Sequence, residues 1–294
     1  MLKLIIILFY AILKESETSI ESDDISYYLS NKVYPNKSTE IDLKNLNLND
    51  QIKIVFLIHG WMNNRDIEWY ELFKNGFLNK TEDYYVVEVD WENVALNVYS
   101  EAAYGVYKVG NHIGDFIVTV HKTNKIPLNN FLLIGHSLGA QIAGAVGKRV
   151  TKLTNQKLPR IVALDPAGPI FTGLSEDERL NKNDAKVVHV LHTDDDLLGF
   201  PGSIGTIDFF PNGGSNQPGC VDFRGSFDVD FYGSLGEIVC DHVRAWKYFA
   251  EAIINPKAFM AKKCSSWKHF KNNICQNITI FLGDLSINQT VKVK

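Results

Sequence analysis

Two glycines flank a serine at a spacing of two in Gly135-His136-Ser137-Leu138-Gly139, and the residues on either side give that pattern a physical meaning. Phe131, Leu132, Leu133 and Ile134 form a short apolar run of the kind that becomes a buried strand. Ala140-Gln141-Ile142-Ala143-Gly144-Ala145-Val146-Gly147 is a small-faced run able to start a helix close against a sheet. A strand that bends so sharply into a helix leaves no room for a Cβ two residues to either side of the serine. The bend pushes Ser137 Oγ above the sheet and aims the Leu138 N–H where an oxyanion would form. The chemistry implied is attack by a serine hydroxyl. Serine is a weak nucleophile near neutral pH, so it needs a base, and the base needs an orienting carboxylate.

On a sheet of this type the chain order is serine, acid, histidine. Asp165 ends the apolar run Arg160-Ile161-Val162-Ala163-Leu164, and Pro166 fixes the turn after it. Four histidines follow: His189, His192, His242 and His269. His189 and His192 lie on or at the end of an apolar run and read as packed core residues, while His269 lies in a cysteine-flanked tail. His242 follows Cys240-Asp241 and opens a helix, where a disulfide would anchor it and the positive helix end disfavours imidazolium. It is the expected base. The second oxyanion donor is expected from the turn after the first parallel strand, at the Trp61 N–H, with Gly60 letting the backbone approach. His59 precedes that turn and is expected to orient it.

These residues need a frame. Strands are predicted over 51–58, 84–89, 131–134, 160–164 and 186–191, and helices over 102–121 and 242–253. Short apolar strands alternating with helices predict an α/β fold, a largely parallel sheet covered on both faces, in one domain with no dividing linker. Active sites in such sheets lie at the carboxyl ends of the strands, where His59, Ser137 and Asp165 all fall.

The chain has 294 residues, 22% of them charged, with a net charge of -4, which excludes nucleic acid and polybasic membrane-surface roles. Residues 1–19 read as a signal peptide: a basic start at Lys3 and a ten-residue apolar core over 4–13, too short to span a bilayer. Cleavage anywhere from Ala11 to Ser19 would suit, leaving 20–294 as the folded domain. N-glycosylation sequons stand at Asn36, Asn79, Asn277 and Asn288. The four cysteines, Cys220, Cys240, Cys264 and Cys275, are an even number, and sequential pairing is the simplest of three connectivities. A zinc site is the rival reading, without any C-x-x-C spacing to support it. Secretion is expected. Between Cys220 and Cys240, the aromatics Phe223, Phe227, Phe231 and Tyr232 stand among glycines, which reads as a lid over the site or as a stapled surface loop.

Four segments in this order, Gly135 to Ala140, Leu164-Asp165-Pro166-Ala167-Gly168-Pro169, Asp208-Phe209-Phe210-Pro211-Asn212-Gly213-Gly214 and Cys240-Asp241-His242-Val243-Arg244-Ala245, resemble the pancreatic-type lipase family, which includes secreted phospholipases A1. The resemblance implies an α/β-hydrolase fold, hydrolysis of lipid esters, a catalytic triad of Ser137, Asp165 and His242, and oxyanion donors at Trp61 and Leu138. It also implies a lid disulfide Cys220–Cys240 and a second bridge Cys264–Cys275. Only 52 residues follow His242, too few for the family's C-terminal β-sandwich, so no colipase partner is expected. The short stretch between His192 and Asp208 goes with phospholipases A1, whereas the nearly lipase-length lid goes with triacylglycerol lipases. In the family's calcium segment, here 176–184, Asn181 replaces an aspartate ligand, so neither metal nor cofactor is expected. The resulting expectation is a secreted serine esterase working at a membrane or lipid-droplet interface. Phospholipase A1 cleaving the sn-1 ester leads, against a neutral or triacylglycerol lipase and a catalytically silent lipid-binding or yolk-type protein. Oligomeric state is not legible.

Overall fold

The computed structural model describes residues 24–41, 48, 51–220, 239–286 and 291–292. The expected signal peptide, the aromatic loop at 221–238 and the sequon at Asn288 lie outside the described residues.

The elements run in the order β1 Ser26–Asn31, β2 Tyr34–Glu40, β3 Lys53–Ile58, α1 Glu68–Leu78, β4 Tyr84–Asp90, α2 Glu92–Ala95, α3 Tyr99–Asn124, β5 Phe131–His136, α4 Leu138–Thr154, β6 Arg160–Leu164, β7 Val187–Leu191, β8 Ile207–Phe209, α5 Cys240–Ile254, β9 Met260–Lys262, α6 Trp267–Lys271, β10 Thr279–Phe281 and β11 Val291–Lys292. The large sheet has the order β11-β8-β7-β6-β5-β3-β4-β1-β2. It is parallel from β11 to β4, while β1 joins β4 antiparallel and carries β2 at the edge. The inner strands β3, β5, β6 and β7 are apolar runs because both of their faces are covered. Phe56, Phe131 and Leu133 pack on one face against Ile113 and Ile117 of α3 and Ile142 and Val146 of α4. Val55, Leu57, Ile134 and Val162 pack on the other against Phe73 and Phe77 of α1 and Trp246 and Phe249 of α5.

The predicted inner strands and the two helices are all present, β6 with the predicted ends and the others with ends moved by at most three residues. The antiparallel pair β1–β2 was not expected. SYYLSN and YPNKSTE carry Pro, Asn and Lys; β1 becomes a strand because β4 offers an open edge to pair with, and β2 because β1 then does. Strand β8 and the antiparallel pair β9–β10 have three residues per strand, below the length at which periodicity speaks.

Candidate active site

The turn from β5 to α4 confines Ser137. A Cβ on Gly135 would stand 2.1 Å from the Gly139 carbonyl oxygen, and one on Gly139 would stand 2.1 Å from that of Ile58, so both positions exclude a side chain. Ser137 itself takes φ 58° and ψ -123°, a sparsely populated conformation that costs on the order of 1–3 kcal/mol. The surroundings hold it there. Its N–H donates to the Leu164 carbonyl at 3.0 Å, and its carbonyl accepts from Ala167 N–H at 3.2 Å, which stitches the serine turn to the turn that carries Asp165. Ser137 is half-buried, so its hydroxyl stays within reach of solvent. Leu138 is the first residue of α4, where the N–H has no acceptor within the helix and the dipole is positive.

Asp165 also has positive φ, 41°, and is fully buried. Its Oδ1 accepts from the backbone N–H of Thr193 at 2.7 Å and of Asp194 at 3.0 Å. Its Oδ2 accepts from His242 Nδ1 at 2.6 Å. Donation through Nδ1 leaves Nε2 as the basic nitrogen of a neutral His242. His242 is the third residue of α5, which begins at Cys240, so the histidine sits within the helix's first turn rather than opening it as expected.

His136, the residue before Ser137, brings His242 to the elbow. Its ring lies 4.5 Å from the His242 ring between centroids, and its Nε2 is 3.1 Å from the His242 carbonyl oxygen. Burial, and then the neighbouring His242, push the His136 pKa down to about 3. The ring is therefore neutral and its Nε2–H donates to that carbonyl. Asp194 is buried too, and burial followed by the charge of Asp165 pushes its carboxyl up to about 8. Behind His242, the Asp194 carboxyl therefore holds its proton at neutral pH. Asp165, Asp194 and His242 each bring one possible metal-ligand atom within 4.8 Å of the others. Asp165 and His242 are already hydrogen-bonded to each other.

The turn after β3 approaches from the other side. A Cβ on Gly60 would lie 2.9 Å from Ser137 Cβ and 3.4 Å from Ser137 Oγ, so the backbone leading into Trp61 runs directly beside the hydroxyl. His59 fixes that turn: its Nδ1–H donates to the Gly60 carbonyl at 2.9 Å, and its Nε2 accepts from Trp91 N–H at 3.3 Å. Its ring stacks on Trp91 at 5.2 Å. Trp61 donates its indole N–H to the Asn97 carbonyl at 2.8 Å and packs edge-on to Tyr99. The remaining expected histidines lie elsewhere in the body. His189 is a buried ring stacked on Phe209, His192 bonds Asp208 at 3.0 Å, and His269 lies on the short helix α6.

Cysteine pairs form between Cys220 and Cys240 and between Cys264 and Cys275. The first ties the start of α5, two residues before His242, to the chain that follows β8. The segment 176–184 does not fit a divalent cation. Lys148 Nζ lies 2.7 Å from both Asp184 carboxylate oxygens and 2.7 Å from the Arg179 carbonyl. Asn181 Nδ2 spans the Glu176 carbonyl at 2.8 Å and Asp184 Oδ1 at 3.2 Å, so an ammonium and an amide already engage these oxygens.

Sequence reasoning missed His136, Asp194 and Gln217. The first two stand beside residues the sequence singles out, inside Gly-His-Ser and at the end of His192-Thr193-Asp194, but neither spacing reveals burial. Gln217 carries no signal at all.

A family model described as Lipase matches residues 13–280. Pancreatic lipase-related protein 2 of Rattus norvegicus is 36% identical over 279 residues, covering 87% of this chain and 57% of that protein. Pancreatic triacylglycerol lipase of Sus scrofa is 34% identical over 248 residues, covering 79% and 53%. Inactive pancreatic lipase-related protein 1 of Canis lupus familiaris is 34% identical over 252 residues, covering 82% and 52%. The chain thus spans about half the length of the curated relatives it matches.

Proposed function

The chain belongs to the pancreatic-type lipase family, and from that premise we propose that it is a secreted serine hydrolase of glycerolipid esters, acting as a phospholipase A1 on the sn-1 acyl ester. The observation that carries this reading is the 2.6 Å hydrogen bond from His242 to a buried Asp165, formed beside the Ser137 elbow. His242 Nε2 takes the Ser137 proton as Oγ attacks the ester carbonyl, and Asp165 stabilises the imidazolium that results. The tetrahedral oxyanion is received by the N–H groups of Leu138 and Trp61, each such donor being worth roughly 3–4 kcal/mol. His242 then returns the proton to the leaving alcohol. Water, activated by the same imidazole, releases the fatty acid from the acyl-enzyme. Neutral His136 adds no competing charge beside the base.

Preference for phospholipid is supported by the compact segment after β7. Asp194 O accepts from Gly199 N–H at 2.8 Å, and a bridge joins Gly199 to Ala167, so this turn folds back on the Asp165 loop. Secretion is supported by the two disulfides, which persist in oxidising compartments. A silent lipid-binding role is the second reading, favoured by the similarity to a relative whose name describes it as inactive.

One panel separates these readings. The secreted protein is expected to hydrolyse phosphatidylcholine at the sn-1 position and to react with a serine-directed phosphonate. Ser137→Ala is expected to lose at least about a thousandfold in rate while staying folded. Activity on triolein alone would replace phospholipase with triacylglycerol lipase, and a folded protein that neither hydrolyses nor labels would be the silent kind.

A further inference from the structure

We propose that Gln217 is a positioning residue for the Asp165–His242 pair, an inference that rests on the serine-hydrolase reading above. Gln217 lies on the loop between β8 and Cys220, far in sequence from either partner, and its side chain is almost wholly buried. All of its hydrogen-bonding capacity is used. Nε2 donates to the Thr193 carbonyl at 3.0 Å and to the Pro211 carbonyl at 3.0 Å. Oε1 accepts from Asn212 Nδ2 at 2.8 Å and from the Tyr248 hydroxyl of α5 at 3.2 Å.

The two ends of one peptide unit give these bonds their consequence. The carbonyl of Thr193 is held by Gln217, and the N–H of the same peptide, that of Asp194, donates to Asp165 Oδ1 at 3.0 Å. Turning that peptide would withdraw one of the two backbone donors that orient the carboxylate and would disturb the other, from Thr193, beside it. A second arm reaches the base. The backbone N–H of Gln217 donates to Asp241 Oδ1 at 2.7 Å, and that of Asn216 to Oδ2 at 3.2 Å. Asp241 immediately precedes His242 in the first turn of α5. Residues 216–217 therefore grip the support of the acid on one side and the helix start of the base on the other. Their distance is fixed further by Cys220, whose N–H donates to the Gln217 carbonyl and whose sulfur bonds Cys240. A side chain that sets the separation of acid and base acts on their alignment, to which catalysis is far more sensitive than binding is.

The test uses the full secreted chain. Gln217→Glu keeps the shape but turns the amide donor into an oxygen facing two carbonyls, and Gln217→Leu removes all four side-chain bonds. For either variant that retains a cooperative thermal transition, kcat is expected to fall at least about tenfold while KM stays within about twofold. The low-field proton resonance of His242 Nδ1–H, bonded to Asp165, is expected to shift or broaden in the same samples. Gln217→Asn, which keeps the amide one methylene shorter, carries the measurement if both others fail to fold. It is expected to lose less in kcat than they would. A folded variant with wild-type kcat overturns the proposal, and so does a loss of kcat with the Nδ1 resonance unmoved. Wild-type protein that neither hydrolyses esters nor labels would instead overturn the underlying reading, and the resonance would still report on the positioning.

Discussion

Behind His242 two buried carboxyl groups meet, and their hydrogen bonding differs. Asp165 receives two backbone N–H groups and an imidazole N–H, which suit a negative charge. The Asp194 side chain accepts one backbone N–H, from Leu198 at 3.2 Å, and burial beside Asp165 pushes its pKa up to about 8. In an unfolded chain the same group ionises near about 4. Between about pH 4 and about pH 8 the folded chain therefore holds a proton that the unfolded chain has released, and stability declines as pH rises through that window. Asp194→Asn removes the titration while keeping an oxygen for Leu198. At pH 8 it is expected to be more stable than wild type by at least about 1 kcal/mol, and at pH 4 to match it. Urea midpoints at the two pH values measure this; an equal offset at both would tie the effect to packing. Ser137, Asp165 and His242 are legible in the sequence because chemistry fixes their order and their local turns. Asp194, His136 and Gln217 are not, because burial by strands distant in sequence decides what they do.

At the scale of elements, the placement of His242 against Asp165 and Ser137 depends on how α5 is seated, since the elbow is held by backbone contacts within the parallel sheet. The Cys220–Cys240 bridge closes a sequence separation of 20 and attaches to the first residue of that helix, whereas Cys264–Cys275 closes 11 residues in the β9–β10 region. Removing either pair by Cys→Ser substitution is expected to cost on the order of 3 kcal/mol, since loops of this size lose similar closure entropy. The kinetic outcomes are expected to differ. Loss of Cys220–Cys240 lowers kcat by at least about tenfold, and loss of Cys264–Cys275 leaves it within about threefold, when both folded variants are assayed on one soluble ester. Equal losses would mean that α5 is seated by its packing through Trp246 and Phe249 alone. Legibility followed environment here too. Strands β3, β5, β6 and β7 announced themselves as unbroken apolar runs because helices cover both faces, while β1 and β2 did not, because an edge strand owes its conformation to its partner.

Across the whole molecule, the sheet gathers Ser137, Asp165 and the Trp61 turn at the carboxyl ends of its inner strands, and the surface bordering them carries exposed apolar side chains. Met62, Leu96 and Val98 are each more than half exposed, at 65%, 59% and 63%, although Trp61 and Tyr99 beside them are packed. The Met62 N–H donates to the Ala95 carbonyl at 3.0 Å, which joins the two loops into one rim. A chain with a net charge of -4 has no general attraction to anionic lipid, so contact with a lipid surface must draw on such side chains. Transferring each from water into the acyl region is worth roughly 1.5–3 kcal/mol when complete. Replacing Met62, Leu96 and Val98 together by Asp is therefore expected to reduce hydrolysis of phosphatidylcholine vesicles by at least about tenfold. Hydrolysis of a soluble short-chain ester, which needs the triad but no interface, is expected to stay within about twofold. Because the contact is apolar, the vesicle rate should also vary little between low and high salt. Parallel loss on both substrates would place the damage in the oxyanion turn next to Met62, and the rim would then be part of the site's architecture instead of its approach to lipid.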